Sequence, residues 1–249
     1  MSKSRQLAHL RQVWSSLGRE DPLWAVLSRP DKRGGRWDVD EFFATGRIEI
    51  GEHLAAFAAM GLPRARGRAV DFGCGAGRLT RPLAAMFDEA IGVDVSPSMI
   101  DCARRLNAGI DNLHFIENAA PTLAMLADAS VDFVYSNMTL QHIPAELAEG
   151  YVDEFLRVLA PGGVASFQFV AGTDASLRGR LYGMVPNRWL NPLRRLAWRR
   201  STVFEMHVLG ESRLETVLTR HPGVRLVIAM DDGAAGAGWV GRRWIVTRD

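Results

Sequence analysis

The chain has 249 residues, 47% hydrophobic and 23% charged, the balance of a globular protein with a full core, which excludes wholesale disorder. Thirty basic side chains against 28 acidic ones give a net charge of +2, no ground for nucleic acid as the main partner. Two cysteines, Cys74 and Cys102, make no disulfide framework and stand in no Cys/His cluster, so no metal site is expected.

The N-terminus, MSKSRQLAHLRQVW, lacks the apolar stretch of a secretory signal. It is basic and acid-free up to Glu20, which admits a transit peptide but better suits a surface helix. Three tryptophans (Trp14, Trp24, Trp37) precede residue 60, four (Trp189, Trp198, Trp239, Trp244) follow residue 185, and none lies between. The expected organisation is therefore an N-terminal helical appendage over 1–61 and a main domain over 62–249, with an inserted cap at about 172–209.

Within the domain, Arg68–Phe72 is short, apolar and ends in glycines, as a buried strand does. Arg78–Phe87 carries Leu79, Leu83 and Met86 at helical spacing. Ala90–Val95 is the next strand. Ser96 and Pro97 then open a helix through Arg105, with Ser as cap and Pro at the first position. Asn112–Ile116 and Val131–Ser136 are a third and fourth strand. Leu147–Leu159 is a helix stopped by Pro161-Gly162-Gly163, and Val164–Val170 a fifth strand. Glu211–Arg220 gives a last helix, Val224–Met230 and Trp239–Thr247 two more strands. The alternation predicts an α/β fold: a doubly wound, mostly parallel seven-stranded Rossmann-like sheet with an antiparallel hairpin at its edge. Ligands of such sheets sit at the carboxyl ends of the strands, where strand order reverses. The longest uncharged run, the 16 residues Val158–Thr173, contains Pro161, Gly162 and Gly163 and cannot span a bilayer. A cytoplasmic protein with no stable membrane insertion is expected.

The segment Asp71-Phe72-Gly73-Cys74-Gly75-Ala76-Gly77-Arg78 is the most informative. A strand runs into glycines at alternate positions, which permit a tight turn and close approach of a ligand to the backbone. The spacing is not the GxGxxG of a dinucleotide loop, and no Lys completes a P-loop. Asp71-x-Gly73-x-Gly75-x-Gly77 resembles motif I of the class I S-adenosylmethionine-dependent methyltransferases. The likeness continues in order through Gly92-Val93-Asp94-Val95-Ser96, Glu117-Asn118-Ala119, the strand Val131–Ser136 and Arg157–Gly163, covering about residues 62–170.

This resemblance implies S-adenosylmethionine as cofactor. Gly73, Cys74, Gly75 and Gly77 would lie under its methionine half, Asp94 with Val95 at the ribose, and Asn118 with Ala119 at the adenine, with Met99 and Asn137 as further contacts. Asn118 stands where the family usually has an acid. Arg78 either meets the methionine carboxylate or pairs on the surface. The family also implies a segment folded over the cofactor, here Asp40–Arg47, with Phe43, Thr45, Gly46 and Arg47 as lid contacts ahead of a helix to Met60.

Methyl transfer from a sulfonium is an in-line displacement that demands alignment and exclusion of water, and a general base only when the acceptor must lose a proton. His142, after the fourth strand, is the candidate base; its competing role is to cap a loop or pack beside the cofactor. His53 and His207 are weaker rivals. Between Arg178 and Arg200 stand seven arginines and no acid. With Trp189, Leu190, Leu193, Leu196 and Ala197 they form a pattern that fits a lid for an acidic or amphipathic small molecule, a solvated basic face, or a membrane-surface helix. The leading function is methyl transfer to a small molecule. The alternatives are a non-catalytic S-adenosylmethionine or nucleoside-binding subunit, or an RNA or protein methyltransferase; the absence of an Asn-Pro-Pro-Tyr-like motif disfavours amino-group methylation. The acceptor, the atom methylated and the oligomeric state are not legible.

Overall fold

The computed structural model describes residues 2–185 and 205–249. Arg188, Arg194, Arg195, Arg199, Arg200 and the apolar set from Trp189 to Ala197 lie outside the described residues.

Three helices precede the sheet: α1 (Lys3–Glu20), α2 (Pro22–Val26) and α3 (Val39–Ala58). The strands are β1 (Arg68–Phe72), β2 (Glu89–Asp94), β3 (Leu113–Glu117), β4 (Val131–Ser136), β5 (Leu159–Thr173), β6 (Val224–Asp231) and β7 (Trp239–Arg248). Interleaved with them are α4 (Thr80–Ala84), α5 (Pro97–Leu106), α6 (Ala145–Val158), α7 (Leu177–Met184) and α8 (Glu211–Leu218). The sheet order is β3-β2-β1-β4-β5-β7-β6. The first five strands pair in parallel, and β7 pairs antiparallel with both β5 and β6. The β6–β7 hairpin thus forms the sheet edge, with β7 seated one strand in.

Side chains alternate between the two faces, as the two-residue period of a strand requires. Val70, Phe72, Ile91, Val93, Phe167 and Val246 point to one side and pack with α6, α8 and the α1 residues Leu7 and Leu10. Ala69, Ala90, Phe133, Tyr135, Val164 and Ile245 point to the other, against α3, Leu83 of α4 and Ile100 of α5.

Three expectations differ from the structure. The helix after the glycines does not start at once: Gly77 has φ +83°, outside the helical region, and α4 occupies only Thr80–Ala84. The Asn112 side chain donates to the carbonyls of Ala84 (2.8 Å) and Phe87 (3.2 Å), answering backbone groups that another helical turn would have used. Pro161-Gly162-Gly163 does not precede the fifth strand but lies inside it. Val131 pairs with Leu159 and Phe133 with Val164, so the extra residues of β5 form an irregularity there. Finally, Asp40–Arg47 belongs to α3 itself, whose cap is Asp38, accepting from Glu41 N at 2.9 Å.

Within α3, two glycines have opposite surroundings. A Cβ on Gly46 would lie 2.0 Å from the carbonyl oxygen of Arg78, whereas one on Gly51 would meet nothing within 4 Å. Gly46→Ala should therefore lose about 1–3 kcal/mol from forced backbone displacement, and Gly51→Ala should gain up to about 1 kcal/mol of helix propensity. Urea unfolding of the two variants measures the difference; equal midpoints would refute the packing account.

Candidate active site

A cavity of about 400 Å³ opens where strand order reverses, at the carboxyl ends of β1, β2 and β4. Its floor is the loop after β1: Gly73, Cys74 and Gly75 line it, and the amides of Gly73 (2.7 Å) and Cys74 (3.1 Å) donate to the Val93 carbonyl at the end of β2. Asp94 ends β2 and Val95 follows it, Met99 comes from α5, Asn118 follows β3, and Asn137 and His142 follow β4.

Each of these is held by local chemistry. Asp94 accepts the Gly75 amide at 2.9 Å and the Ser96 amide at 2.8 Å, and burial nevertheless raises its pKa above the usual carboxylate value. Each oxygen keeps a second lone pair for a ligand hydroxyl. The Asn118 side chain closes its own turn, accepting from Ala120 N (3.1 Å) and donating to Thr122 O (3.0 Å), which leaves it one N–H. Cys74 and Cys102 are buried thiols with raised pKa, so neither is a nucleophile.

The remaining expected site residues stand outside the lining. Asp71 is buried beneath the loop, where it accepts from the Thr80 hydroxyl at 2.6 Å. Gly77 turns away beside Phe115 and Asn107, and Ala119 is on the exposed side of its turn. Phe43 is fully buried, Gly46 packs on the Arg78 backbone, and Arg47 is exposed; none of them lines the cavity. The cover comes instead from α1 and α2: Leu7, Leu10 and Trp14 from the first, Ala25 and Val26 from the second, then Leu27, Ser28 and Arg29. Arg11 pairs with Glu117 at 2.5 Å, and Ser98 donates to the Ser15 carbonyl at 2.9 Å, fixing α1 across the strand ends. The recurrence of Leu7, Leu10, Trp14 and Leu17 at helical spacing is the signal that marks this face. The turn Ala234–Gly236 and Met206 complete the wall.

Beneath the cavity two buried arginines are neutralised by a cluster that joins four parts of the fold. Arg78, from the glycine loop, reaches Glu49 of α3 at 2.8 Å and Thr45 at 3.4 Å, so Thr45 positions an arginine and touches no cavity. Glu49 also accepts from the Tyr135 hydroxyl (2.9 Å) and from Asn137 Nδ2 (2.6 Å). The other end of Asn137 accepts from Arg243 of β7 at 2.8 Å, and Arg243 pairs with Asp232 at 2.7 Å. The Asn137 amide is thus a cross-link. His53 stacks on Phe57, lies 5.4 Å from the tilted Tyr135 ring and is not in the lining; its pKa is lowered, by burial first and by Arg243 second.

His142 is also buried, and desolvation takes its pKa down to about 4. Its Nδ1 lies 2.8 Å from the Glu205 carbonyl, which can only accept, so Nδ1 carries the proton and Nε2 the lone pair. That lone pair faces Gln141 Nε2 at 3.2 Å. His207 has its pKa lowered by burial and is not in the lining. Among the described residues no group of histidines, cysteines and acids is placed to hold a metal, and no helix is long and apolar enough to cross a membrane.

Residues 69–163 match the family described as methyltransferase domain. A malonyl-[acyl-carrier protein] O-methyltransferase of Methylococcus capsulatus is 36% identical over 134 residues, 52% of this chain and 47% of that protein. A trans-aconitate 2-methyltransferase of Methylobacterium radiotolerans is 34% identical over 128 residues, 51% of this chain and 45% of that protein. The match therefore spans about half the length of these curated relatives. The crystal structure of magnesium protoporphyrin IX methyltransferase from Synechocystis with bound S-adenosylhomocysteine superposes with a TM-score of 0.62 at 18% identity, covering 98% of this chain and all of that one. Over residues 69–163 the chain is thus similar to methyltransferase domains.

Two predictions follow from the buried charges. Burial first, and neighbouring Glu49 and Asp94 next, raise the Asp71 pKa to about 7 against the attraction of Thr80 and Arg78. The folded state therefore holds a proton that the unfolded chain has released by about pH 4. Asp71 contributes a stability loss that grows as pH rises from about 4 to about 7. His142, with its depressed pKa, works in the opposite sense, losing stability as pH falls below 6.5. Asp71→Asn should abolish the first slope and leave the second, and parallel pH-stability curves for variant and wild type would refute the assignment. Glu49→Gln strips the carboxylate from buried Arg78, whose Nε has no hydrogen-bond partner among the described residues. Losing one member of a buried pair costs about 3–5 kcal/mol, here nearer the lower figure because Glu49 is 22% exposed. Thermal unfolding checks it.

Proposed function

We propose that this methyltransferase domain binds S-adenosylmethionine in the lid-covered cavity and transfers its methyl group to a carboxylate oxygen of a small-molecule or thioester-borne acid. The donor set fits the cofactor. A glycine floor admits it closely, Asp94 has lone pairs for a ribose diol, and Asn118 has an N–H for adenine. Bound there, S-adenosylmethionine supplies a methyl group already activated by a sulfonium. Leu7, Leu10 and Trp14 keep water out, and the loops after β1 and β4 align the reactants.

The observation that carries the carboxylate assignment is the lack of a competent base in the lining. Among the described residues the only acid there is Asp94, committed to two backbone amides. The only histidine is His142, whose pKa of about 4 gives it little drive to remove a proton from a hydroxyl, phenol or ammonium. A carboxylate has no proton to lose at neutral pH. The acceptors named for the two curated relatives, a malonyl group and trans-aconitate, are both carboxylic acids.

Carboxyl methyl esters are cleaved by alkali, whereas methyl ethers and N-methyl groups are not. Incubation with tritiated S-adenosylmethionine and a set of di- and tricarboxylic acids should give product that releases volatile methanol at high pH; alkali-stable label would overturn the carboxylate reading. For the cofactor, Asp94→Asn should weaken S-adenosylhomocysteine binding by about 1.5–3 kcal/mol, roughly 10–100-fold. Calorimetry measures it, and unchanged affinity would remove Asp94 from the site.

A further inference from the structure

The residues after β4 contain a run of hydrogen bonds whose direction is fixed at both ends. It begins with the Met138 backbone N–H, which can only donate and does so to Gln168 Oε1 at 3.2 Å. Gln168 Nε2 donates to Gln141 Oε1 at 3.1 Å, and Gln141 Nε2 to His142 Nε2 at 3.2 Å. His142 Nδ1 closes the run on the Glu205 carbonyl, which can only accept. A donor at one end and an acceptor at the other leave one consistent orientation for both amides and one tautomer for the ring. Gln168, Gln141 and His142 are all at least nine-tenths buried, so each group depends on its neighbours for satisfaction.

The far end of this run is a second strip of chain. His207 N donates to the Gln141 carbonyl at 2.8 Å, and Leu209 N to the Val170 carbonyl at 2.7 Å. Between the two bonds to Gln141 and His142 sits Met206, in the cavity wall. The His142 ring also lies 5.2 Å from Trp14 of the lid.

We propose that His142 is a positioning residue, the last link of a one-way hydrogen-bond chain that latches residues 205–207 onto the loop after β4 and holds Met206 in the wall of the cavity. This rests on the reading of the cavity as the methyl-transfer site and assigns His142 no proton transfer. The ring serves as a rigid two-ended connector: an acceptor toward Gln141, a donor toward Glu205. Asparagine places an N–H close to the position of Nδ1 and has no basic nitrogen, so His142→Asn preserves the outgoing bond, whereas His142→Leu loses it.

The test is made on the full chain without acceptor. In ¹⁵N-histidine spectra at pH 7 the signal missing from His142→Asn should show the Nδ1–H tautomer in the wild type, and should remain neutral at pH 6. Hydrogen exchange at His207 and Leu209 should speed up by about tenfold or more in His142→Leu and return to within about threefold of wild type in His142→Asn, as expected for a local opening. An Nε2–H tautomer, a protonated ring at pH 6, or exchange equally fast in both variants would each overturn the latch. If His142→Leu fails to fold, the tautomer and the asparagine variant still decide. S-adenosylhomocysteine calorimetry on the wild type runs alongside: absence of binding there sinks the cofactor reading and leaves the latch standing.

Discussion

A buried guanidinium cannot shed its proton, so it must be met by a carboxylate and by acceptors for its remaining N–H groups. Arg78 and Arg243 are each 2% exposed, and most of the arrangement beneath the cavity answers that demand. Glu49 comes from a helix preceding the sheet, Asp232 from the edge hairpin, and Asn137 bridges the two pairs. The consequence is mechanical. The glycine loop, the loop after β4, helix α3 and the β6–β7 turn share one charge-balanced cluster, so none of the four can shift alone without uncovering a buried charge.

Above that cluster the packing is equally restrictive. A Cβ on Gly75 would fall 2.3 Å from a methyl of Val26, so the lid rests directly on the loop's backbone. Neither the Val26 helix nor Glu49 lies in the stretch 69–163 that matches the family. The matched core provides the glycine floor of the cavity, and elements outside it supply the cover and the counter-charge.

That division explains what could be read from the sequence. The positions of the strands along the chain, the glycine loop and the place of Asp94 at the end of β2 rest on local signals: short apolar runs, turn glycines, an acid at a strand end. Ser96 as a cap and Pro97 after it are likewise local, and the helix α5 follows them. What escaped was long-range. Phe43 and Gly46 have the composition of a lid segment, but whether they meet a ligand or the Arg78 carbonyl depends on how α3 docks, some thirty residues from its contact. The role of Glu49 could not be inferred from one acid in an amphipathic helix, because its three donors come from positions 78, 135 and 137. His142 illustrates the same limit in another way. Its type and position suggest a base, whereas the connector role proposed above rests on its burial and on the carbonyl of Glu205, neither of which is local in sequence.

The placing of β7 between β5 and β6 reverses their order in the sheet relative to their order in the chain. Strand β6 is made before β7 but has no seat in the sheet until β7 has paired with β5. The turn that joins them, Asp232–Gly236, carries both the counter-ion of Arg243 and part of the cavity wall. A chain with β1 to β5 paired and the β6–β7 hairpin undocked lacks that turn. It would then hold a glycine loop and an Asp94 in place while Asn137 lacked its arginine and the wall stood open. Completion of the cavity wall thus depends on the pairing of β7 with β5, far from the glycine loop in sequence.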